Sequence, residues 1–370
     1  MKINSIIIIA VLAVILMANG ASASSSSPSV TSVSSTIANG AYKAGQTIAV
    51  TVTFNEAVTV TGSPKILLET GTTDRQATYS SGSDTITLTF NYVVQAGDTS
   101  SDLDYVSTTS LILNGGTIKG TSPRKNADII LPIPGLAGSL SANKNIVIDT
   151  TRPTLTSVSI SSNNTNHSWA KIGDMINVTL TANETLLSDP AVTINGNTAT
   201  VSRISGNSYN ATYTMIASDP EGRVVFTIDF SDLAGNAGIR VTATTDSNSV
   251  TFDSIPPQSI TDLNSITIEH DRLNWTWTDP QTDDFSYVMV YIDGIWMANV
   301  PKGIQFYEAL DLNAETLYNI STLTVDIAGN INQTWVNRSA MTSQAPLPCN
   351  SECGFTVKYI VYVDTPFEIT

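Results

Sequence analysis

What most limits the fold is a series of short segments in which every second residue is apolar. Thr47–Phe54 (TIAVTVTF) puts Ile48, Val50, Val52 and Phe54 on one side, and Asp84–Val94 (DTITLTFNYVV) does the same with Ile86, Leu88, Phe90 and Tyr92. Met175–Ala182 repeats the pattern with Ile176, Val178 and Leu180, and Leu273–Asp279 with Leu273, Trp275 and Trp277. A period of two is the signature of a strand with one buried face. Helical spacing is nearly absent, and the Val/Ile/Thr-rich runs are broken by Gly, Asn, Ser and Pro. Many short strands of this kind predict an all-β chain built of antiparallel β-sandwiches.

The chain also repeats itself. Pro28–Ser34 (PSVTSVS) matches Pro153–Ser159 (PTLTSVS) at an offset of 125, and Gly45–Glu56 (GQTIAVTVTFNE) matches Gly173–Glu184 (GDMINVTLTANE) at an offset of 128. Two modules therefore open with the same pair of strands. The junctions share a pattern too: IDTTRP (Ile148–Pro153) and FDSIPP (Phe252–Pro257) each place an aspartate four residues before a proline, which stiffens a short linker. Three tandem sandwich modules are expected in a linear array, at 27–151, 152–254 and 255–345, with a tail at 346–370 for which no anchor is recognised.

The N-terminus combines Lys2, the apolar run Ile6–Met17 and the small-x-small triplet Ala21–Ala23, the three parts of a secretory signal peptide spanning 1–23. The apolar run is too short to span a bilayer comfortably, so no membrane span is expected in the mature chain; an uncleaved N-terminal anchor is the alternative, since the run is close to the lower limit. An exported location makes a local disulfide between Cys349 and Cys353, the chain's two cysteines, the favoured reading, with unpaired thiols as the alternative. The net charge of −15 repels nucleic acid and anionic lipid and attracts cations. The acidity is greatest in 254–345, with 11 acids against 3 bases.

Residues 27–150 resemble the bacterial-type immunoglobulin-like repeats of very large prokaryotic surface proteins. The stretches that carry this are AGQTIAVTVTFNEAVTVTG, LLETGTTDRQATYSSGSDTITLTFNYVVQAGDTSSDLDY, LNGGTIKG and NKNIVIDT. Residues 152–254 look like a more divergent relative. Residues 255–345, through LNWTWTDP, VMVYIDG and TVDIAGNINQTWVN, resemble the fibronectin type III-like modules of exported archaeal proteins, particularly those of methanogens. In that third module Leu312-x-x-x-Thr316-x-Tyr318 has the spacing of a tyrosine corner, whose hydroxyl bonds back to the nearby backbone.

The usual catalytic constellations are missing. There is no phosphate-cradling glycine loop, no HExxH and no G-x-S-x-G. The two histidines, His167 and His270, sit in polar or charged stretches that read as surface, so no enzyme is expected. Nine Asn-x-Ser/Thr sequons lie at Asn163, Asn166, Asn177, Asn183, Asn210, Asn274, Asn319, Asn332 and Asn337, and residues 27–151 contain none. They are candidate glycosylation sites in an exported chain; the alternative is that Asn and Thr are simply common in β-turns. Alternation aims Asn177 and Asn274 at the solvent face.

A five-residue motif returns after 94 positions: Asp232-Leu-Ala-Gly-Asn236 and Asp326-Ile-Ala-Gly-Asn330. In an immunoglobulin-type sandwich both fall at the F–G turn, beside the loop that follows strand B and beside the entering linker. That topology gathers Asp149, Glu184 and Asp232 at one junction and Asp253, Asp279 and Asp326 at the next. Three crowded carboxylates call for a cation, and oxygen-only ligands favour calcium. The competing reading is turn chemistry alone, since Asp caps turns and Gly-Asn suits left-handed backbone. The first module has Glu56 but neither the motif nor a linker aspartate before it. The expected role is a non-catalytic spacer or adhesin contacting surface or matrix components, secreted or at the cell surface. A polysaccharide-binding array, with Tyr287, Tyr291 and Trp296 as candidate stacking rings, and a surface-layer subunit are the alternatives.

Overall fold

The computed structural model describes residues 26–122 and 124–347. The leader, Cys349, Cys353 and the chain from 348 onward lie outside the described residues. The chain forms two compact units. The first runs to Pro153 and includes Glu184–Ser188 and Phe230–Ile239; the second comprises Thr154–Asn183, Asp189–Asp229 and the chain from Arg240 onward. Among the described residues the only α-helix is the four-residue turn Leu140–Asn143, and nearly all remaining regular structure is strand.

In the first unit, Thr47–Thr61 is the central strand. It pairs with Val30–Ser35 on one side and Thr85–Val93 on the other, and at its far end with Thr117–Gly120. Ile48, Val50, Val52 and Phe54 are buried, as the alternation requires, and meet Leu88, Phe90 and Tyr92 in one core. Ile86 departs from its expected place and is 51% exposed. The ladder explains it: pairing jumps from Thr53–Thr87 to Val58–Thr85, so Ile86 faces the stretch where its partner strand bends away. A second sheet sets Ile146–Asp149 parallel to Gly40–Tyr42 and antiparallel to Thr99–Ser100, which places Asp149 at a strand end.

The second unit opens with the same strand pair as the first. Val33 faces Val52 in the first unit, and Val158 faces Leu180 in the second, the pair reached by adding the two sequence offsets. Both ladders carry an irregularity at the matching place, between Val30 and Ser32 and between Leu155 and Ser157. The repeat is therefore one of register as well as of sequence. Ser208–Thr214 and Thr200–Ser205 extend this sheet; Ala191–Ile194 with Asn197–Thr198 and Phe226–Asp229, and Trp169–Ala170 with Thr251–Phe252 and Gly222–Arg223, form the opposing sheets.

Further along the second unit is a sandwich of two sheets. Thr261–Ile268, Leu273–Thr278 and Phe306–Ala309 form one; Ile295–Pro301, Phe285–Ile292, Leu317–Asp326 and Val336–Met341 form the other. Leu273, Trp275 and Trp277 are buried with Val288, Val290 and Ile320. The Tyr318 hydroxyl accepts the backbone N–H of Asn313 at 2.9 Å, which is the tyrosine-corner bond its spacing predicts. The described chain is an all-β series of sandwiched sheets, as the alternation predicts. Tyr318→Phe keeps the ring and deletes the bond, so it should cost about 0.5–1.5 kcal/mol. Urea unfolding should show this as a lower midpoint at unchanged slope; an unchanged midpoint would mean the corner contributes nothing.

Candidate metal centre

Each copy of the five-residue motif folds into the same tight turn. The N–H groups of Gly235 and Gly329 donate back to the carbonyls of Asp232 and Asp326, and the two glycines have φ of +82° and +84°. Such φ values favour glycine over any residue with a Cβ. The aspartate binds its own turn twice. Asp232 Oδ1 accepts the Asn236 N–H at 2.9 Å and Oδ2 accepts Asn236 Nδ2 at 2.8 Å. Asp326 does the same with Asn330, at 2.8 and 2.9 Å.

The asparagine then reaches outside the turn. Asn236 Nδ2 also donates to the carbonyl of Asp149, and Asn330 Nδ2 to the carbonyl of Asp253, each at 2.9 Å. A lysine completes the pattern: Lys43 Nζ donates to the Gly235 carbonyl and Lys171 Nζ to the Gly329 carbonyl, both at 2.6 Å. The motif is therefore a turn, and it also grips the linker aspartate. Those aspartates form matching caps, with Oδ1 of Asp149 accepting the N–H of Thr151 and Oδ1 of Asp253 accepting the N–H of Ile255.

Two groups of acids result. Within the first unit Asp149, Glu184 and Asp232 each bring a carboxylate oxygen within 4.8 Å of the others. Within the second unit the group is Asp253, Asp284 and Asp326. Asp279, expected in this place, is not a member. It keeps the inward parity of Trp275 and Trp277, so its Oδ1 accepts the Trp277 indole N–H at 3.0 Å and its Oδ2 accepts the Gly303 N–H at 2.7 Å. Asp284 stands in its stead because it directly precedes the strand Phe285–Ile292. The Phe285–Asp326 pair and the bond from Ile327 N–H to the Asp284 carbonyl hold it against the turn.

The second group is the more enclosed. Asp253 is 7% exposed and Asp326 is 2% exposed. Oδ2 of Asp253 is buried with no hydrogen-bond donor. Burial pushes the Asp253 carboxyl up to about 6, and the like charges of Asp326, Asp284 and Glu221 add to the effect against one backbone bond from Ile255. Asp326 is also raised by burial, opposed by its bonds to Asn330 and Gly329 and reinforced by Asp284. Three carboxylates with hard oxygens, one of them carrying a buried oxygen without a donor, form a donor set that suits a calcium-type cation. A carboxylate is otherwise costly to bury in such company.

Of the nine sequon asparagines, Asn163, Asn166, Asn183 and Asn337 are exposed, and Asn177, Asn210, Asn274, Asn319 and Asn332 are half-buried. Asn177 and Asn274 thus lie less open than alternation suggested, and the Asn274 side-chain oxygen is buried without a partner. The Asn332 amide is committed to the fold, donating to the Pro257 carbonyl at 2.8 Å and to Ser259 Oγ at 3.1 Å.

No protein-family model matches the chain, and no curated protein matches it. Among solved structures it is similar to a calcium-stabilised adhesin with which an Antarctic bacterium binds ice, at 17% identity, over 85% of this chain and 75% of that one, with a TM-score of 0.45. A 1.5-MDa bacterial ice-binding adhesin is similar at 15% identity, over 86% and 98%, with a TM-score of 0.42. The fibronectin(III)-like modules of CbhA from Clostridium thermocellum are similar at 17% identity, over 52% and 98%, with a TM-score of 0.33.

Proposed function

We propose that the chain is an exported, non-catalytic modular protein of the cell surface or extracellular matrix, working as a spacer or adhesive unit. Its modules are those bounded at 151 and 254, of the bacterial-type immunoglobulin-like and archaeal fibronectin-like kinds, behind a cleaved leader. In this reading Asp149, Glu184 and Asp232, and Asp253, Asp284 and Asp326, each hold one structural calcium ion. The ion neutralises the three carboxylates and fixes the linker aspartate against its turn. The observation that carries the reading is the buried, donorless Oδ2 of Asp253, on a carboxylate that has an oxygen within 4.8 Å of those of Asp284 and Asp326. The duplicated turn, cap and lysine contacts around both groups support it, since each junction is built from the same parts.

Calcium titrated into the chelated chain should bind at two sites. Extracellular modules of this sort hold calcium with Kd of about 10⁻⁴–10⁻³ M. At a hundredfold excess over Kd each site adds about 2.7 kcal/mol. Melting curves in calcium and in chelator check this: a rise of several degrees in both transitions is expected, and superimposable curves would reduce the motif to a turn. Magnesium, which demands a tighter octahedral shell, should protect less.

A further inference from the structure

The outer face of the four-stranded sheet of Ile295–Pro301, Phe285–Ile292, Leu317–Asp326 and Val336–Met341 carries an aromatic patch beside a sequon. Tyr291 lies between Val290 and Ile292, both of which enter the core, so it points outward. The Trp335 ring meets it edge-on, with centroids 5.1 Å apart and planes at 76°. Trp335 is 48% exposed, and Trp296, the register partner of Tyr291, is 53% exposed. One row of paired residues then crosses all four strands: Trp296–Tyr291, Tyr291–Ser321 and Ser321–Asn337.

Asn337 is exposed and begins the sequon Asn337-Arg338-Ser339. Val336 packs against the core, so Trp335 and Asn337 stand on the same outer face, two residues apart. Ser339 shares that face, donating its Oγ to Asn319 Oδ1. Between Asn337 and Tyr291 the row holds only Ser321, a small side chain. Two strand spacings separate Asn337 from Tyr291, about 10 Å, which the first two rings of a glycan span.

We infer that Asn337 carries an N-linked glycan whose first sugar rings lie along this row and pack their apolar faces on Trp335 and Tyr291. Aromatic faces are electron-rich and the axial C–H groups of a pyranose are weakly positive, so the contact is attractive as well as desolvating. The glycan thereby covers rings that a secreted protein would otherwise leave open to adventitious contacts. The inference rests on the export reading, because the modification is made outside the cytoplasm.

The test uses the full chain secreted from a host that glycosylates Asn-x-Ser/Thr, with the same chain from a non-glycosylating host beside it. Glycopeptide mass spectrometry should find sugar at Asn337. Asn337→Gln should lower the melting temperature of the glycosylated protein by a few degrees, and should do so far less in a Trp335→Ala background. In unglycosylated protein Asn337→Gln should have no effect in either background. An unmodified Asn337 in the secreted chain overturns the inference, and with Asn163 and Asn166 occupied it leaves export standing; wild-type chain that stays inside the cell with its leader uncleaved and all nine sites unmodified overturns both. Equal shifts with and without Trp335 also overturn it. So does Trp335-dependent retention of the unglycosylated chain on an insoluble neutral polysaccharide, which would make the patch a receptor for foreign sugar.

Discussion

Asp253→Asn should stabilise the second unit in chelator and weaken it in calcium. At neutral pH without a cation the wild-type carboxyl is ionised although the fold holds it near 6, against an ordinary value of 3.8. A difference of that size opposes the folded state by on the order of 3 kcal/mol. The amide removes the charge, its oxygen still caps the Ile255 N–H, and its NH₂ replaces the donorless Oδ2 with a donor in a group that holds Asp284 and Asp326. A gain of on the order of 1–3 kcal/mol is therefore expected in chelator. In calcium the balance turns over, because a neutral amide is a poorer ligand and the roughly 4.1 kcal/mol of binding at thousandfold excess over Kd, more than the gain, is mostly lost. Urea midpoints for both proteins in both buffers measure the crossing. Asp279→Asn is the control: its carboxylate serves Trp277 and Gly303, so the change should destabilise equally with and without calcium. The same sign of effect for Asp253→Asn in both buffers would sink the calcium reading at this junction.

Alternation and repetition were enough to read the fold. Val50, Val178 and Trp275 are each fully buried where period two puts them, and the offsets of 125 and 128 give the Val158–Leu180 pairing directly. Ile86 escaped because a strand bend is not encoded in the polarity of the strand that faces it. Five of the six acids assigned to the junctions come together, because a linker, a strand end and an F–G turn are adjacent in any sandwich of this topology. Asp279 and Asp284 were confused for a local reason. Both lie in the connection from Leu273–Thr278 to Phe285–Ile292, and only the three-dimensional path shows that Asp279 folds back onto Trp277. The lysine contacts had a signal that went unused: Lys43-Ala-Gly45 and Lys171-Ile-Gly173 align at the offset of 128. The shared Asn amide had none, because a side chain that binds both its own turn and a carbonyl 87 or 77 residues away leaves no pattern in a single sequence. Trp335 was overlooked as a partner of Tyr291 for the same reason: it directly precedes Val336–Met341, a strand that does not neighbour Phe285–Ile292 in the sheet.

The response to pH should likewise change sign with calcium. Asp253 and Asp326 both have folded-state carboxyls above the ordinary 3.8, so between about pH 4 and about pH 6 the folded chain binds more protons than the unfolded one. Their contribution is then most favourable below the unfolded value and is lost as pH rises through the folded values, about 6 for Asp253. The groups facing Asp253 are Asp326, Asp284 and Glu221, all acids, so none reverses the sign. Asp98 in the first unit has the opposite tendency: bonds from Tyr92 and Arg75 hold its carboxyl below the ordinary value. Its stabilisation is present above the unfolded value and fades only as pH falls below that. In chelator, the transition of the second unit should therefore lie higher at about pH 5 than at about pH 7, by on the order of 1 kcal/mol of stability from Asp253, since about half of its full penalty is already in place at pH 5. In calcium the ion requires the ionised carboxylates, so protection should grow as pH rises through about 6 and the second unit should melt higher at neutral pH. Melting temperatures taken across this range with and without calcium should give two curves that cross. Asp253→Asn should flatten both. Parallel curves for the wild-type chain would mean that the buried carboxylates neither carry the proton nor hold the ion.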